Sequence, residues 1–205
     1  MPRRRRAPRA KRKQIIWVPV YTPEAFGQIE IAHVATTDLN NLIGRTVEVT
    51  LFDITNSFEH QFIKLYFKIV EIRDGKAYTR FKMHELTRDY IRSLVRRGTS
   101  RVDAITDVIT KDGWIVRVYV LAITIRRVTS SIKSAIRRAA FKVVTERASE
   151  LTLDELVREM VLGKLASDVY SKAKKVYPLK KVEIMKSKVI KQLPPLEVEA
   201  VTEGG

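Results

Sequence analysis

The sequence predicts an α+β fold: an antiparallel, β-barrel-like core with one inserted helix, followed by packed C-terminal helices and a final strand. Three observations carry this reading. Asp74-Gly75 and Asp112-Gly113 each sit between strand-forming runs, and Asp-Gly tolerates the positive φ angles that two-residue hairpins require. After Val128 the chain turns helical. Thr152 and Glu155 then form a capping box just ahead of an apolar run. The predicted division is a basic tail over 1–14, one integrated domain over 15–190 and an acidic tail over 191–205. Within the domain, 15–128 is β-rich, 129–178 helical and 179–190 a strand.

Ile15 to Val20 reads as a short apolar strand interrupted by Pro19. Pro23 to Gly27 is a turn, and Gln28 to Val34 alternates as a second strand. Asp38 to Gly44 is a short helical turn closed by Gly44. Arg45 to Asp53 is a strand with Val47, Val49 and Leu51 on one face. The two Asp-Gly turns join Phe62–Arg73 to Lys76–Met83 and Asp107–Lys111 to Trp114–Thr124. Between these hairpins, Leu86, Tyr90, Ile91, Leu94 and Val95 share one helical arc, and Gly98 supplies the stop. Ser130 or Ser131 caps a helix with a buried stripe of Ile132, Ile136, Ala139, Ala140, Val143 and Val144. The boxed helix after Thr152 has Leu151 and Leu156 at staple positions, breaks at Gly163 and resumes through Lys175, ahead of Pro178. Leu179 to Ile184 returns as a strand, and Pro194-Pro195 opens an acidic segment with Glu197, Glu199 and Glu203.

Charge narrows the function. Arg3, Arg4, Arg5, Arg6, Arg9, Lys11, Arg12 and Lys13 crowd the first thirteen residues with no acid among them. Such a stretch has no apolar period to bury and orders only against a polyanion. Extended, it reaches about 45 Å. Without these eight cations the formal charge of +16 is still +8, so the body also suits a phosphate-bearing partner. An apolar content of 45% supplies a proper core. The lack of cysteine excludes disulfides, thiolate nucleophiles and cysteine zinc sites. No apolar run approaches the roughly 18 residues of a membrane span.

Catalytic patterns do not emerge. His33, His60 and His84 stand at no ligand spacing, and no glycine-rich phosphate loop occurs among the eight glycines. His84 and Glu85 are expected at a helix entry. The basic groups are better organised. Arg88, Arg92 and Arg96 lie at i, i+4 and i+8, a row that can grip successive phosphates, with Arg97 and Arg101 extending it. The planar fork of arginine bonds phosphate oxygens in pairs. A second cluster holds Arg126, Arg127, Lys133, Arg137, Arg138 and Lys142, and no acid occurs from Trp114 through Thr145. A third is lysine-only and includes Lys172, Lys174, Lys175, Lys180, Lys181, Lys186, Lys188 and Lys191. Tyr66, Tyr78, Trp114 and Tyr119 serve either the core or base stacking.

Three stretches carry a family resemblance. They are Leu42 to Ile54, built on Gly44-Arg45, Glu48 and Leu51-Phe52-Asp53-Ile54; His84 to Arg101, the most distinctive; and Gly163-Lys164-Leu165-Ala166 through Tyr177-Pro178 to Ile184. From Trp17 to Val189 the chain resembles the three-A-e family of small-subunit ribosomal proteins shared by archaea and eukaryotes, with Thr46 and Ile54 departing mildly from its pattern. The resemblance implies a β-barrel-like core joined to helices and a non-catalytic, cytoplasmic ribosomal component. It implies binding to small-subunit rRNA on the platform near the mRNA exit, and contact with neighbouring ribosomal proteins. A place near that exit adds mRNA as a further candidate partner. No cofactor, metal, membrane or small-molecule substrate is implied. The short C-terminus resembles archaeal members. The Arg-rich extension before Lys11 lies outside the resemblance, and its rRNA contact rests on charge. The rival readings are a free RNA-processing enzyme, which needs convergent carboxylates, and a DNA-compacting protein, which needs no preference for RNA.

The acidic segment after Pro195 is expected to meet a basic protein neighbour rather than phosphate. Deleting residues 1–13 is expected to make log affinity against log salt shallower, by at most about 6–7 units if all eight cations touch RNA. RNA binding titrated over a salt series checks this, and an unchanged slope removes the tail from the interface.

Overall fold

The computed structural model describes residues 15–192. Both tails lie outside the described residues. The elements in order are β1 (Ile16–Tyr21), β2 (Glu30–Thr36), β3 (Thr46–Thr50), α1 (Leu51–Thr55), β4 (Ile63–Arg73), β5 (Lys76–Leu86) and α2 (Arg88–Leu94). They continue with β6 (Arg101–Ile109), β7 (Trp114–Thr124), α3 (Ser130–Glu150), α4 (Leu153–Val161), α5 (Lys164–Ala173) and β8 (Leu179–Gln192).

The strands form one mixed sheet of eight, in the order β2-β1-β5-β8-β7-β6, with β4 and β3 branching from β5. It is not the antiparallel barrel expected from the hairpins. Two features keep it open. β1 joins β5 in parallel, through Val20↔Ala77 and Tyr21↔Tyr78 only. β8 takes the same edge of β5 further along, through Met83↔Lys188 to Glu85↔Lys186. One strand edge therefore serves two neighbours, and the sheet forks into two lobes. A small apolar cluster of Val18, Val20, Leu42, Ile69 and Ala77 fills the first lobe. The main core lies under α3, α4 and α5, against Val102, Ala104, Val116, Val118 and Val120.

The hairpins differ from each other. Asp74 (φ 50°) and Gly75 (φ 73°) form a two-residue turn closed by Arg73↔Lys76, as the sequence suggested. The second turn has three residues, Lys111-Asp112-Gly113. The Thr110 N–H bonds the Trp114 carbonyl at 2.9 Å, and Gly113 takes the left-handed position. Asp112 is then free to accept the Leu153 N–H at 3.1 Å and fix the start of α4.

Four expectations need correction. The strand expected over Arg45 to Asp53 ends at Thr50, where Thr50 and Asp53 form a capping box and Leu51 begins α1. The inserted helix is short: Leu86 belongs to β5, paired with Ile63, and Val95 is already extended. Ladder pairing outweighs the apolar arc, and no residue of α2 is fully buried. His84 is not at a helix entry. It lies on the inward face of β5, fully buried, with Nδ1 2.5 Å from Ser187 Oγ and Nε2 3.1 Å from the Ile184 carbonyl. The final strand runs fourteen residues and sits centrally between β5 and β7. Val182, Ile184 and Ser187 are buried, while Lys180, Lys181 and Lys188 are exposed.

The helical half follows the sequence except at the start of α3, where Thr129 rather than Ser130 or Ser131 is the N-cap and no side-chain cap bond forms. Ile136, Ala140, Val143 and Val144 of α3 are buried, with Ile132 and Ala139 packed at the core margin. At α4, Thr152 Oγ1 accepts from the Glu155 N–H while the Glu155 carboxylate accepts from the Thr152 N–H at 3.0 Å. Gly163 (φ 82°) separates α4 from α5. Thr152→Ala is expected to lower stability by about 1 kcal/mol. Urea unfolding with an unchanged m-value checks this, and an unchanged midpoint would make the box incidental.

Candidate nucleic-acid interface

Buried hydroxyls bring distant cations together. The Ser100 N–H donates to Thr124 Oγ1 at 3.0 Å, the Thr124 N–H returns to the Ser100 carbonyl at 3.0 Å, and the Val128 N–H donates to Ser100 Oγ at 3.2 Å. These bonds stitch the segment before β6 to the segment after β7. The Ile125 N–H reaches the Pro178 carbonyl at 3.4 Å, which ties in the start of β8. Arg96, Arg97 and Arg101 thus meet Arg126 and Arg127, with Lys180 and Lys181 beside them.

Register places these side chains more finely. Arg101, Ile123 and Lys181 form a row across β6, β7 and β8, on the face away from α3. α2 borders the same face. Its Tyr90 hydroxyl donates to Glu183 Oε1 at 3.1 Å and lies 2.6 Å from Lys181 Nζ, and its ring stacks on Phe62 with centroids 4.8 Å apart. Burial pushes the Tyr90 phenol above its ordinary range. Arg88 and Arg92 project from α2 and are exposed. α3 starts three residues after Arg127 and adds Lys133 and Arg138.

One end of the sheet therefore carries parts of all three predicted clusters. Among the described residues, Arg88, Arg92, Arg96, Arg97, Arg126, Arg127, Lys133, Arg138 and Lys180 make no ion pair with an acid. Others are engaged. Arg101 Nε bonds Asp103 at 2.8 Å, Lys181 bonds Glu183 at 3.0 Å, and Arg137 Nε caps the Asp103 carbonyl of edge strand β6 at 2.9 Å. Lys172 and Lys186 pair with Glu146 and Glu85. Lys188 stands apart, opposite Arg117, six residues down β7 from the Ile123 row and so about 20 Å away. The regular row of Arg88, Arg92 and Arg96 is not one helical face, because α2 ends at Leu94. Arg3 to Lys13 lie outside the described residues.

The four aromatic candidates are half-buried. Tyr78 stacks on Tyr21 at 6.0 Å, and Arg80 covers Trp114 at 5.3 Å. The exposed aromatics are Trp17 and Phe58, which sequence reasoning passed over. It also passed over Lys68, Arg80 and Lys82 on the first hairpin. Their alternation along a strand-forming run was the available signal. Among the described residues no group of three or more histidine and acidic side chains could hold a metal ion, and no helix is long and apolar enough to cross a membrane.

Residues 3–193 match the sequence model of the Ribosomal S3Ae family. The chain is 49% identical over 187 residues to the small ribosomal subunit protein eS1 of Pyrobaculum islandicum, covering 91% of this chain and 84% of that protein. It is 47% identical over 186 residues to the protein of that name from Methanothrix thermoacetophila, covering 91% and 87%. It is 45% identical over 175 residues to the Sulfurisphaera tokodaii protein of that name, covering 85% and 91%.

Proposed function

The chain belongs to the Ribosomal S3Ae family, and from that premise we propose that it works in translation as a structural constituent of the small ribosomal subunit, holding rRNA with the cationic end of its sheet. It is a structural protein rather than an enzyme, and its site of action is the cytoplasmic ribosome. The observation that carries the rRNA contact is the gathering of unpaired arginines around the Ser100–Thr124 stitch. A rigid scaffold holds them at fixed spacing, so little ordering entropy opposes phosphate binding. The family resemblance supports a place on the platform near the mRNA exit, with neighbouring small-subunit proteins alongside. The basic tail then acts as an electrostatic anchor beyond the sheet.

Ultraviolet cross-linking of purified small subunits, followed by peptide mapping, tests the orientation. rRNA adducts are expected within 92–101 and 126–138. Adducts confined to the surface around Lys188 would overturn this placement.

A further inference from the structure

Where β1 and β8 part company along β5, the edge of β5 from Thr79 to Lys82 is paired with neither. A cavity of about 410 Å³ opens at this fork. Its walls are apolar and unusually exposed: Ile43 at 54%, Val70 at 43% and Ile190 at 43%. Its rim is cationic: Lys68, Arg80 and Lys82, with no acid in the lining. Trp114 forms part of the floor, beneath the Arg80 guanidinium. Lys68 and Arg80 are directly opposed across the β4–β5 ladder, and like charges so placed repel unless an anion lies between them.

From this juxtaposition we infer that the fork is a slot for one unpaired nucleotide of RNA, its base between the apolar walls and its phosphates on the Lys68–Arg80–Lys82 rim. Apolar walls suit the π face of any base, and guanidinium planes and aromatic rings are the surfaces on which splayed bases stack. The rim supplies the charge that the sugar–phosphate backbone requires on either side of an extruded base. A base inside a duplex cannot enter. The slot lies away from the Ser100–Thr124 end and makes a second, shape-selective contact. This rests on the reading of the chain as an rRNA-binding protein.

The test uses the full chain carrying Trp17→Phe, which leaves Trp114 as the only tryptophan. A short unstructured adenosine-rich RNA should quench Trp114 emission, and the fully paired duplex of the same length should not, although both bind. Ile190→Glu should abolish the quenching and weaken single-strand binding about tenfold. Ile105→Glu, an equal charge change on exposed β6, should do neither. Equal quenching by both RNAs, or indifference to Ile190→Glu, overturns the slot. A shift of Trp114 emission on Leu196→Asp without RNA would seat the chain's own acidic C-terminal segment there, and also overturns it. Incorporation of the tagged chain into small subunits, measured alongside, separates the two readings. Full incorporation without quenching removes the slot alone, whereas selective quenching without incorporation upholds the slot and removes the ribosomal role.

Discussion

Replacing Arg92, Arg97 and Arg127 together with glutamate should leave the protein folded and unable to enter the small subunit. All three are exposed and make no ion pair with an acid among the described residues. Their reversal removes no apolar contact, and the melting temperature and far-UV circular dichroism should hold. Loss of three phosphate contacts should make the salt slope shallower by roughly 2–3 units. Counterion release vanishes near about 1 M salt, so at about 0.1 M that slope corresponds to a loss of on the order of a hundred- to a thousandfold in affinity. A collapsed spectrum would make the arginines structural. Normal incorporation would take the cationic end out of the rRNA contact.

His84 should make the fold sensitive to mild acid. Burial lowers its pKa from 6.5 to about 4, against a smaller opposing pull from the Ile184 carbonyl. The unfolded chain takes up a proton below about pH 6.5 and the folded chain does not. The neutral imidazole therefore contributes its full stability above that pH. The contribution declines as pH falls from about 6.5 towards 4, by roughly 3 kcal/mol in all. The paired carboxylates act in a different window. Glu48 and Asp107 are held low by hydrogen bonds from Lys64 and Arg117, and Glu155 by the Thr152 N–H. Their contributions are lost only below about pH 4.5. Urea unfolding at steps between pH 7.5 and 4.5 should show a falling midpoint that His84→Asn makes flat. The variant itself should be less stable at neutral pH, because Ser187 Oγ and the Ile184 carbonyl lose a partner. A variant that keeps the slope would clear His84 of the effect.

Local signals were the legible part of the sequence. The Thr152–Glu155 box, the Gly163 break, the Asp74-Gly75 turn and the α3 stripe each depend on residues close in the chain, and each stands where expected. The sheet's forked topology depends on pairings such as Tyr21↔Tyr78 and Glu85↔Lys186, separated by 57 and 101 residues, and no local pattern encodes these. Leu86 shows the conflict directly. It fits the helical arc of Tyr90 and Ile91, yet the ladder to Ile63 claims it. His84 looked like a polar helix entry because its partner Ser187 is equally remote in sequence. The cations were easy to nominate by composition. Their sharing of one end of the sheet was not legible, because Ser100, Thr124 and Pro178 belong to three separate strand boundaries.

The most direct measurement of the central claim is sedimentation of the endogenous protein in cell lysate through sucrose gradients, at low salt and after a high-salt wash. Co-migration with the small subunit at low salt and progressive release as salt rises are expected, with no free pool at low salt. Protein remaining at the top of the low-salt gradient, while other small-subunit proteins migrate with their particle, would contradict that claim.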